Sequence, residues 1–370
     1  MAFEPLPIGG TIGILGGGQL GRMLAQAAAK LGFQVCILAP EADSPAFDVS
    51  AGQIVAAYDD LEALKALAAE MDVVTFEFEN VSAEALAALE GLTRVAPPRR
   101  ALEITQNRLR EKRFLDGIPL STAPYEPVES AAALKRALKA LAERGETGPY
   151  FLKLASHGYD GKGQLKFAGA DELAMAEEWL GGNSAVLEAA VAFEMELSVI
   201  AVRDARGEMA FYDPPRNTHQ GGVLRMSVVP APISEEVRQE AEAAARSIAE
   251  ALDYVGVIGV ELFLEKHAEG HRLLVNEIAP RVHNSGHWTI EACGISQFEN
   301  HIRAVAGWPL GSTARHSNAR MVNLLGDEIK AAVALMHEDA SRSVHLYGKH
   351  EARQGRKMGH YVELTPWLER

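Results

Sequence analysis

The sequence predicts an α/β protein, with a doubly wound unit of parallel strands first, antiparallel hairpins next and a β-rich stretch last. Three observations predict it. Residues 11 to 100 alternate short β-branched runs with Ala- and Leu-rich helical runs, the pattern of a parallel sheet covered by helices on both faces. Residues 150–167 and 255–278 each read as two strands joined by a polar or glycine-rich turn. Residues 315–325 and 343–361 return to β patterns.

In order, Thr11 to Leu15 is a strand, Gly16-Gly-Gly-Gln-Leu-Gly21 a turn, Arg22 to Leu31 a helix closed by Gly32, and Gln34 to Ala39 a second strand. Leu61 to Met71 is a helix, Asp72 to Phe78 a strand ending in Glu77 and Glu79, and Ala83 to Glu90 a helix. Val95-Ala-Pro-Pro98 closes the unit. The spacing Gly16-x-Gly18-x-x-Gly21, with Glu41 twenty residues on, matches the dinucleotide fingerprint, in which helix N-terminal amides hold a phosphate. A tight strand-to-helix turn wants glycine for its own sake, so both explanations stand for this loop.

Residues 101–117 read as a basic helix with Arg108, Arg110, Lys112 and Arg113, most of them expected on a solvated face. Glu129 to Arg144 is an amphipathic helix. Tyr150 to Ala155 is a strand bearing Lys153, and the loop from Ser156 to Gln164 holds three glycines that could let the backbone close on phosphates. It lacks the Gly-Lys-[Ser/Thr] and following helix of a Walker A loop. Ala185 to Glu188 and Leu197 to Val202 are strands, Phe211 to Gly222 an irregular polar loop, and Ser234 to Leu252 a helix capped by Ser234. Ile290 to Val305 reads as one helix.

The densest chemistry lies in Leu274 to His287. A strand delivers Asn276 and Glu277, and Pro280 and Gly286 then force a polar loop that spreads Arg281, His283, Asn284 and His287. If the preceding hairpin folds near residue 269, Glu261 lies opposite Asn276 or Glu277. Two carboxylates and an amide suit Mg²⁺, which leaves its other positions to water and phosphate oxygens. A solvated hairpin with scattered acids is the alternative, but Glu261 sits among Val, Ile, Leu and Phe. His283 and His287 are spaced as a metal pair on a helix would be. Asn284-Ser-Gly286 between them disfavours that helix, so His283 goes to substrate and His287 to structure. Lys349 to Lys357 is a basic cluster in a chain of net charge −14, suited to a phosphate or carboxylate or else a solvated loop.

Bulk properties bound the rest. A chain of 370 residues, 48% hydrophobic and 23% charged, expects two or three domains in a soluble globular protein. The acidic balance argues against nucleic acid, and no apolar run approaches a membrane span. Cys36 and Cys293 are too few for a disulfide framework or zinc site, and with no secretory pattern at the N-terminus a cytoplasmic location is expected.

Five stretches together resemble a known family: Ile14 to Leu24, Thr75-Phe-Glu-Phe-Glu-Asn-Val81, Gly158-Tyr-Asp-Gly-Lys-Gly-Gln164, Asn276 to Trp288, and Gly355-Arg-Lys-Met-Gly-His360. In this order they resemble the N5-carboxyaminoimidazole ribonucleotide synthetase (PurK) family of the ATP-grasp superfamily. The resemblance implies a doubly wound domain over 1–104, an ATP-grasp domain of two α+β subdomains over 105–305 with a lid at about 122–192, and a β-rich C-terminal domain over 306–370. It implies carboxylation of 5-aminoimidazole ribonucleotide by ATP and bicarbonate, through carboxyphosphate, giving ADP and phosphate.

Residue by residue, it implies that Arg108 and Lys153 meet ATP phosphates, under a loop of Gly158, Tyr159, Asp160, Gly161, Lys162, Gly163 and Gln164. Glu188, Ala189, Ala190 and Val191 would flank adenine, Glu196 the ribose, with His219 near the nucleotide and Asn276 beside it. Glu261 and Glu277 would hold Mg²⁺, and Arg281, His283 and Asn284 would surround bicarbonate. Tyr159 and Asp160 would face the aminoimidazole, with Asp160 taking the amine proton. Gln19, Leu20, Glu77, Lys349 and Arg356 would hold the ribonucleotide. The resemblance also implies a homodimer whose product passes to an N5-carboxyaminoimidazole ribonucleotide mutase. The chain departs from the family pattern at His157, Ala189 and Gln354. The alternatives are another ATP-grasp carboxylate-amine ligase, an NAD(P)-dependent dehydrogenase built on the glycine loop, and a nucleotide-binding relic without catalysis. Glu261, Glu277, Lys153 and Arg281, all present, argue against the relic.

Overall fold

Apolar strands in the first hundred residues stack into a five-stranded parallel sheet in the computed structural model, which describes residues 4–156, 163–267 and 270–367. Its elements are β1 (Thr11–Leu15), α1 (Gln19–Lys30), β2 (Gln34–Ala39), β3 (Gly52–Val55), α2 (Leu61–Glu70), β4 (Val73–Phe76), α3 (Ala83–Glu90) and β5 (Arg94–Val95). The order is β3-β2-β1-β4-β5, so β1 pairs with β2 on one side and β4 on the other. The strand order reverses there, and a crevice opens beyond the carboxyl ends of β1 and β4. Leu20, Met23 and Leu24 of α1 pack on one face of the sheet, and α2 and α3 cover the other. The edge strand β3 carries no alternating apolar signal and was not expected from the sequence.

Two short helices, α4 (Arg99–Thr105) and α5 (Arg108–Asp116), follow where one was expected. The break falls at Asn107, whose side chain accepts the amides of Leu109 and Arg110 as an N-cap and so restarts the helix. Next come β6 (Tyr125–Val128), α6 (Ala131–Glu143), β7 (Tyr150–Leu154), β8 (Gln164–Phe167), α7 (Leu173–Leu180) and β9 (Ala185–Ala189). Among the described residues they form a small antiparallel sheet, β6-β9-β7-β8, on which Leu134, Leu138 and Leu141 of α6 build a separate core.

The remaining strands form one large sheet. Its elements are β10 (Phe193–Arg203), β11 (Met209–Phe211), β12 (Arg216–Gln220), β13 (Val223–Val229), α8 (Glu235–Ala251), β14 (Gly256–His267), β15 (Gly270–Ala279), α9 (Thr289–Ala292), α10 (Gln297–Val305), β16 (Ser317–Leu325), α11 (Ala332–Glu338), β17 (Ser343–Leu346) and β18 (Lys357–Pro366). The order is β15-β14-β10-β12-β13-β16-β18-β17, with β11 on β10. The C-terminal strands therefore extend the same sheet, joined where β13 pairs with β16. Two expectations are corrected here. The loop expected from Phe211 to Gly222 contains β12, whose Asn217 points inward to bond the Ser198 and Ser227 hydroxyls. The single helix expected from Ile290 to Val305 is two, and Ser296 caps the second.

α10 docks the large sheet onto the first one. His301 on α10 is buried and receives the amide of Val257 on Nδ1 at 3.1 Å. Its proton therefore sits on Nε2, which donates to Thr75 Oγ1 of β4 at 2.8 Å.

Candidate active site

A cavity of about 590 Å³ lies where the three sheets meet, within the range of small-molecule sites. Its wall takes Gln19, Leu20 and Glu77 from the first domain, Lys153, Gln164 and Glu188 from the small sheet, and Glu196, Glu261 and Glu277 from the large one. Arg108, Ala189, Val191, His219, Asn276, Arg281, His283 and Asn284 also line it.

The hairpin of β14 and β15 sets the carboxylate pair. Glu261 pairs directly with Glu277, and a bulge between Glu261 and Leu262 leaves Asn276 as the extra residue. Asn276 Nδ2 donates to Glu261 at 3.3 Å, and among the described residues its buried Oδ1 has no partner. Burial, then the neighbouring Glu277, pushes the Glu261 carboxyl up. Two carboxylates held together beside an orphaned amide oxygen have the chemistry of an Mg²⁺ site completed by phosphate oxygens and water. Among the described residues no group of three or more His, Cys, Asp or Glu side chains could hold a metal alone, so a cation here depends on other donors.

Cations ring this pair. Arg108 at the start of α5 reaches Glu277 at 3.2 Å. Lys153 on β7 donates to Glu188 at 2.6 Å. Burial would raise the Glu188 pKa, but Lys112 and Lys153 outweigh it and hold the carboxyl at about 2. Lys112, expected on a solvated face, is buried against Glu188 instead. His219 Nδ1 and Glu196 Oε2 bond on the cavity wall at 2.8 Å.

The loop after Pro280 is fixed from several directions. Glu79 grips Arg281 with both carboxylate oxygens, at 2.5 and 3.1 Å. Gln297 clamps the backbone of His283, accepting its amide at 2.9 Å and donating to its carbonyl at 2.7 Å. Gly259 beneath has no room for a side chain, since a Cβ there would lie 2.8 Å from His283 Cβ. Burial, reinforced by Arg281, holds the His283 imidazole well below the usual range, so the ring is neutral. Its Nε2 faces Glu261 at 3.3 Å and Nδ1 meets Ser285 Oγ at 2.8 Å. Asn284 and Asn323 of β16 exchange amide hydrogen bonds at 3.1 and 2.6 Å. His287 is fully buried behind this loop.

The glycine turn after β1 already holds an anion. Glu77, at the end of β4, accepts the amides of Gly18 and Gly21 at 2.5 Å each. A dinucleotide pyrophosphate would need the same amides, so the dehydrogenase alternative falls.

Of the other expected residues, Lys349 donates to the Lys357 carbonyl at 2.8 Å and Arg356 to the Glu351 carbonyl at 2.9 Å, and neither lines the cavity. Lys357 does. Ala190 is tied by its amide to the Pro149 carbonyl, and Gly163 accepts the Leu154 amide. Gly158, Tyr159, Asp160, Gly161 and Lys162 lie outside the described residues. No site role was expected for Glu79, Lys112, Asn323 or the Phe193–Phe263 pair, which stacks at 4.8 Å on the cavity wall. One of these carried a signal: Lys112 is four residues from Arg108 along a helix and so shares its face.

This three-part architecture around a cation-ringed carboxylate pair is that of an ATP-grasp ligase. The ATP-grasp domain profile matches residues 113–298, the ribonucleotide synthetase preATP-grasp domain 10–106, and the phosphoribosylaminoimidazole carboxylase C-terminal domain 319–366. The chain is 51% identical over 360 residues to the N5-carboxyaminoimidazole ribonucleotide synthase of Brucella melitensis, covering 97% of each. It superposes with a TM-score of 0.93 on the ADP complex of a PurK N5-carboxyaminoimidazole ribonucleotide synthetase, at 41% identity over 99% of this chain and 94% of that one. The Aspergillus clavatus enzyme in complex with ADP and 5-aminoimidazole ribonucleotide gives 0.88, at 32% identity over 97% and 94%. The chain belongs to the N5-carboxyaminoimidazole ribonucleotide synthase, or PurK, family.

Proposed function

We propose that the chain carboxylates 5-aminoimidazole ribonucleotide with ATP and bicarbonate, giving N5-carboxyaminoimidazole ribonucleotide, ADP and phosphate in purine biosynthesis. The observation that carries this is the single cavity in which Arg108, Lys153, Arg281, His283 and the Glu261–Glu277 pair all face one space.

Bicarbonate is a poor electrophile. Its oxygen attacks the γ-phosphorus of ATP, the bond to the β-bridging oxygen breaks, and carboxyphosphate and ADP result. Phosphoryl transfer asks mainly for positioning and charge neutralisation. Arg108 and Lys153 provide these for the phosphates, and Arg281, His283 and Asn284 for bicarbonate. Mg²⁺ held by Glu261 and Glu277 would offset charge on the phosphoryl oxygens. The exocyclic amine of the ribonucleotide then attacks the carboxyl carbon, directly or as CO₂ after phosphate leaves. Asp160 accepts the amine proton. Gln19, Leu20 and Glu77 close the ribonucleotide side, with Lys349 and Arg356 assigned to its 5′-phosphate. Helix length and apolarity give no membrane crossing among the described residues. A cytoplasmic homodimer handing its product to a mutase completes the proposal, and light scattering tests the dimer.

The test is ADP release with bicarbonate, with and without the ribonucleotide, and product analysis with labelled bicarbonate. Strong stimulation and one labelled carboxyl in the product are expected. No stimulation, or label absent from the product, overturns the reading in favour of another carboxylate-amine ligase. Near-normal turnover of Asp160→Asn with ATP binding intact would remove its role as base.

A further inference from the structure

Lys112 is the buried cation that the reaction leaves unused. It stands one turn after Arg108 on α5, so both project from the same helix face. Arg108 enters the cavity wall, whereas Lys112 does not. It passes behind the wall to Glu188 of β9, whose Oε1 lies 3.2 Å from its ammonium. Glu188 Oε2 accepts Lys153 at 2.6 Å from the cavity side. Lys153 pairs with Val186 and Glu188 with Phe151, so the two are diagonal neighbours on one face of the small sheet. The side chains of Lys112, Glu188 and Lys153 are 2%, 4% and 11% exposed.

One carboxylate thus serves two ammonium groups in a nearly dry place. The surplus positive charge is costly unless an anion arrives to meet it. Only Lys153 of the two cations reaches the space where that anion would lie. When Lys153 turns to it, Glu188 must keep a counter-ion or stand as a bare buried carboxylate. Among the described residues the Lys112 ammonium has no hydrogen-bond acceptor of good geometry, so nothing else competes for it.

We propose that Lys112 is a positioning residue, holding the Glu188 carboxylate so that Lys153 can leave it for the nucleotide's phosphates. The inference rests on the reading that Lys153 meets those phosphates. Lys112 acts through Glu188 alone, so its removal matters only while Glu188 is charged, and only for ligands that carry phosphate.

Calorimetric binding of ADP and adenosine to the full chain tests this. Lys112→Met should weaken ADP by on the order of 100-fold and adenosine by less than about threefold. Adding Glu188→Gln to Lys112→Met should restore at least about tenfold of the ADP loss, because Lys153 no longer has an anion to hold it. Equal losses for ADP and adenosine would mark Lys112 as a strut between α5 and the small sheet and overturn the proposal. So would a double variant as weak as Lys112→Met. Should Lys112→Met fail to fold, Glu188→Gln and the double variant, each with its charge on Glu188 removed, give the same decision. The proposal expects their ADP-to-adenosine ratios to agree, and a further drop in the double variant overturns it. Lys153→Met separates the underlying reading: an unchanged ADP-to-adenosine ratio there removes the phosphate role of Lys153 itself, whatever Lys112 does.

Discussion

The Glu77 carboxylate accepts the Gly21 amide at 2.5 Å, so the N-terminal end of α1 is neutralised from within the fold. Gly16, at φ +123°, lies against the same side chain, and a Cβ on Gly18 would sit 2.6 Å from Glu77 Oε1. Glycine here makes room for a residue of β4 and not for a cofactor. Gly16→Ala is therefore expected to lower stability by about 3 kcal/mol or more, from left-handed backbone strain and overlap with Glu77. Urea unfolding reads this. Millimolar NAD⁺ should leave the melting temperature of the natural chain unmoved, and a concentration-dependent rise would restore the dinucleotide reading.

The Glu261–Glu277 pairing gives a second expectation. Either residue changed to Gln keeps the shape of the hairpin but halves the charge offered to a cation. Changes one shell further from a metal already cost about 10- to 100-fold, so each should cut ADP release by at least about 100-fold. Excess Mg²⁺ should recover part of that loss. Turnover within a few-fold of the natural chain would remove these two acids from the metal site.

How much of this was legible in the sequence depends on where the signal came from. β1, β2 and α3 have the very ends that apolar periodicity assigns them, because Ile12, Ile14 and Leu86 are buried by that periodicity. That Glu261 faces Asn276 or Glu277 followed from reading the two strands as one hairpin, and the bulge after Glu261, which leaves no local pattern, decides for Glu277. β12 escaped because its inward residue, Asn217, is polar and satisfied by two serines from neighbouring strands, which reads as a loop. Lys112 escaped because a buried lysine is indistinguishable from a solvated one until its partner, 76 positions away in sequence at Glu188, is placed beside it. Long-range pairing of charge leaves no local pattern.

The Glu79–Arg281 fork joins the first domain to the loop that follows β15. A guanidinium held by both carboxylate oxygens presents its remaining donors in a fixed direction. Glu79→Gln removes the charge and one acceptor, so Arg281 should lose that direction while the fold persists. A rise in the KM for bicarbonate of about 10-fold, with a smaller change for ATP, is expected from a loss near 1.4 kcal/mol. Arg281→Lys should do worse, because an ammonium cannot reproduce the fork. Equal effects on bicarbonate and ATP would mean that the fork serves only the stability of the domain junction.

His301 supplies a prediction about acid. Burial pushes its imidazole down from 6.5 to about 3. Above pH 6.5 the ring is neutral in both folded and unfolded chains, and the imidazole adds no pH dependence. Below that the unfolded chain binds a proton that the folded chain refuses, so stability falls until the pH nears the folded value. Against His301→Gln, which removes the titrating group and two buried hydrogen bonds, the natural chain should be about 2 kcal/mol more stable near neutral pH. That advantage should shrink by about 1.4 kcal/mol for each pH unit below 6.5. Urea unfolding of both proteins at about pH 7.5, 6 and 5 measures it. A constant difference across that range would mean that His301 titrates in the folded chain as it does in the unfolded one, and that the Thr75 and Val257 contacts do not keep it neutral.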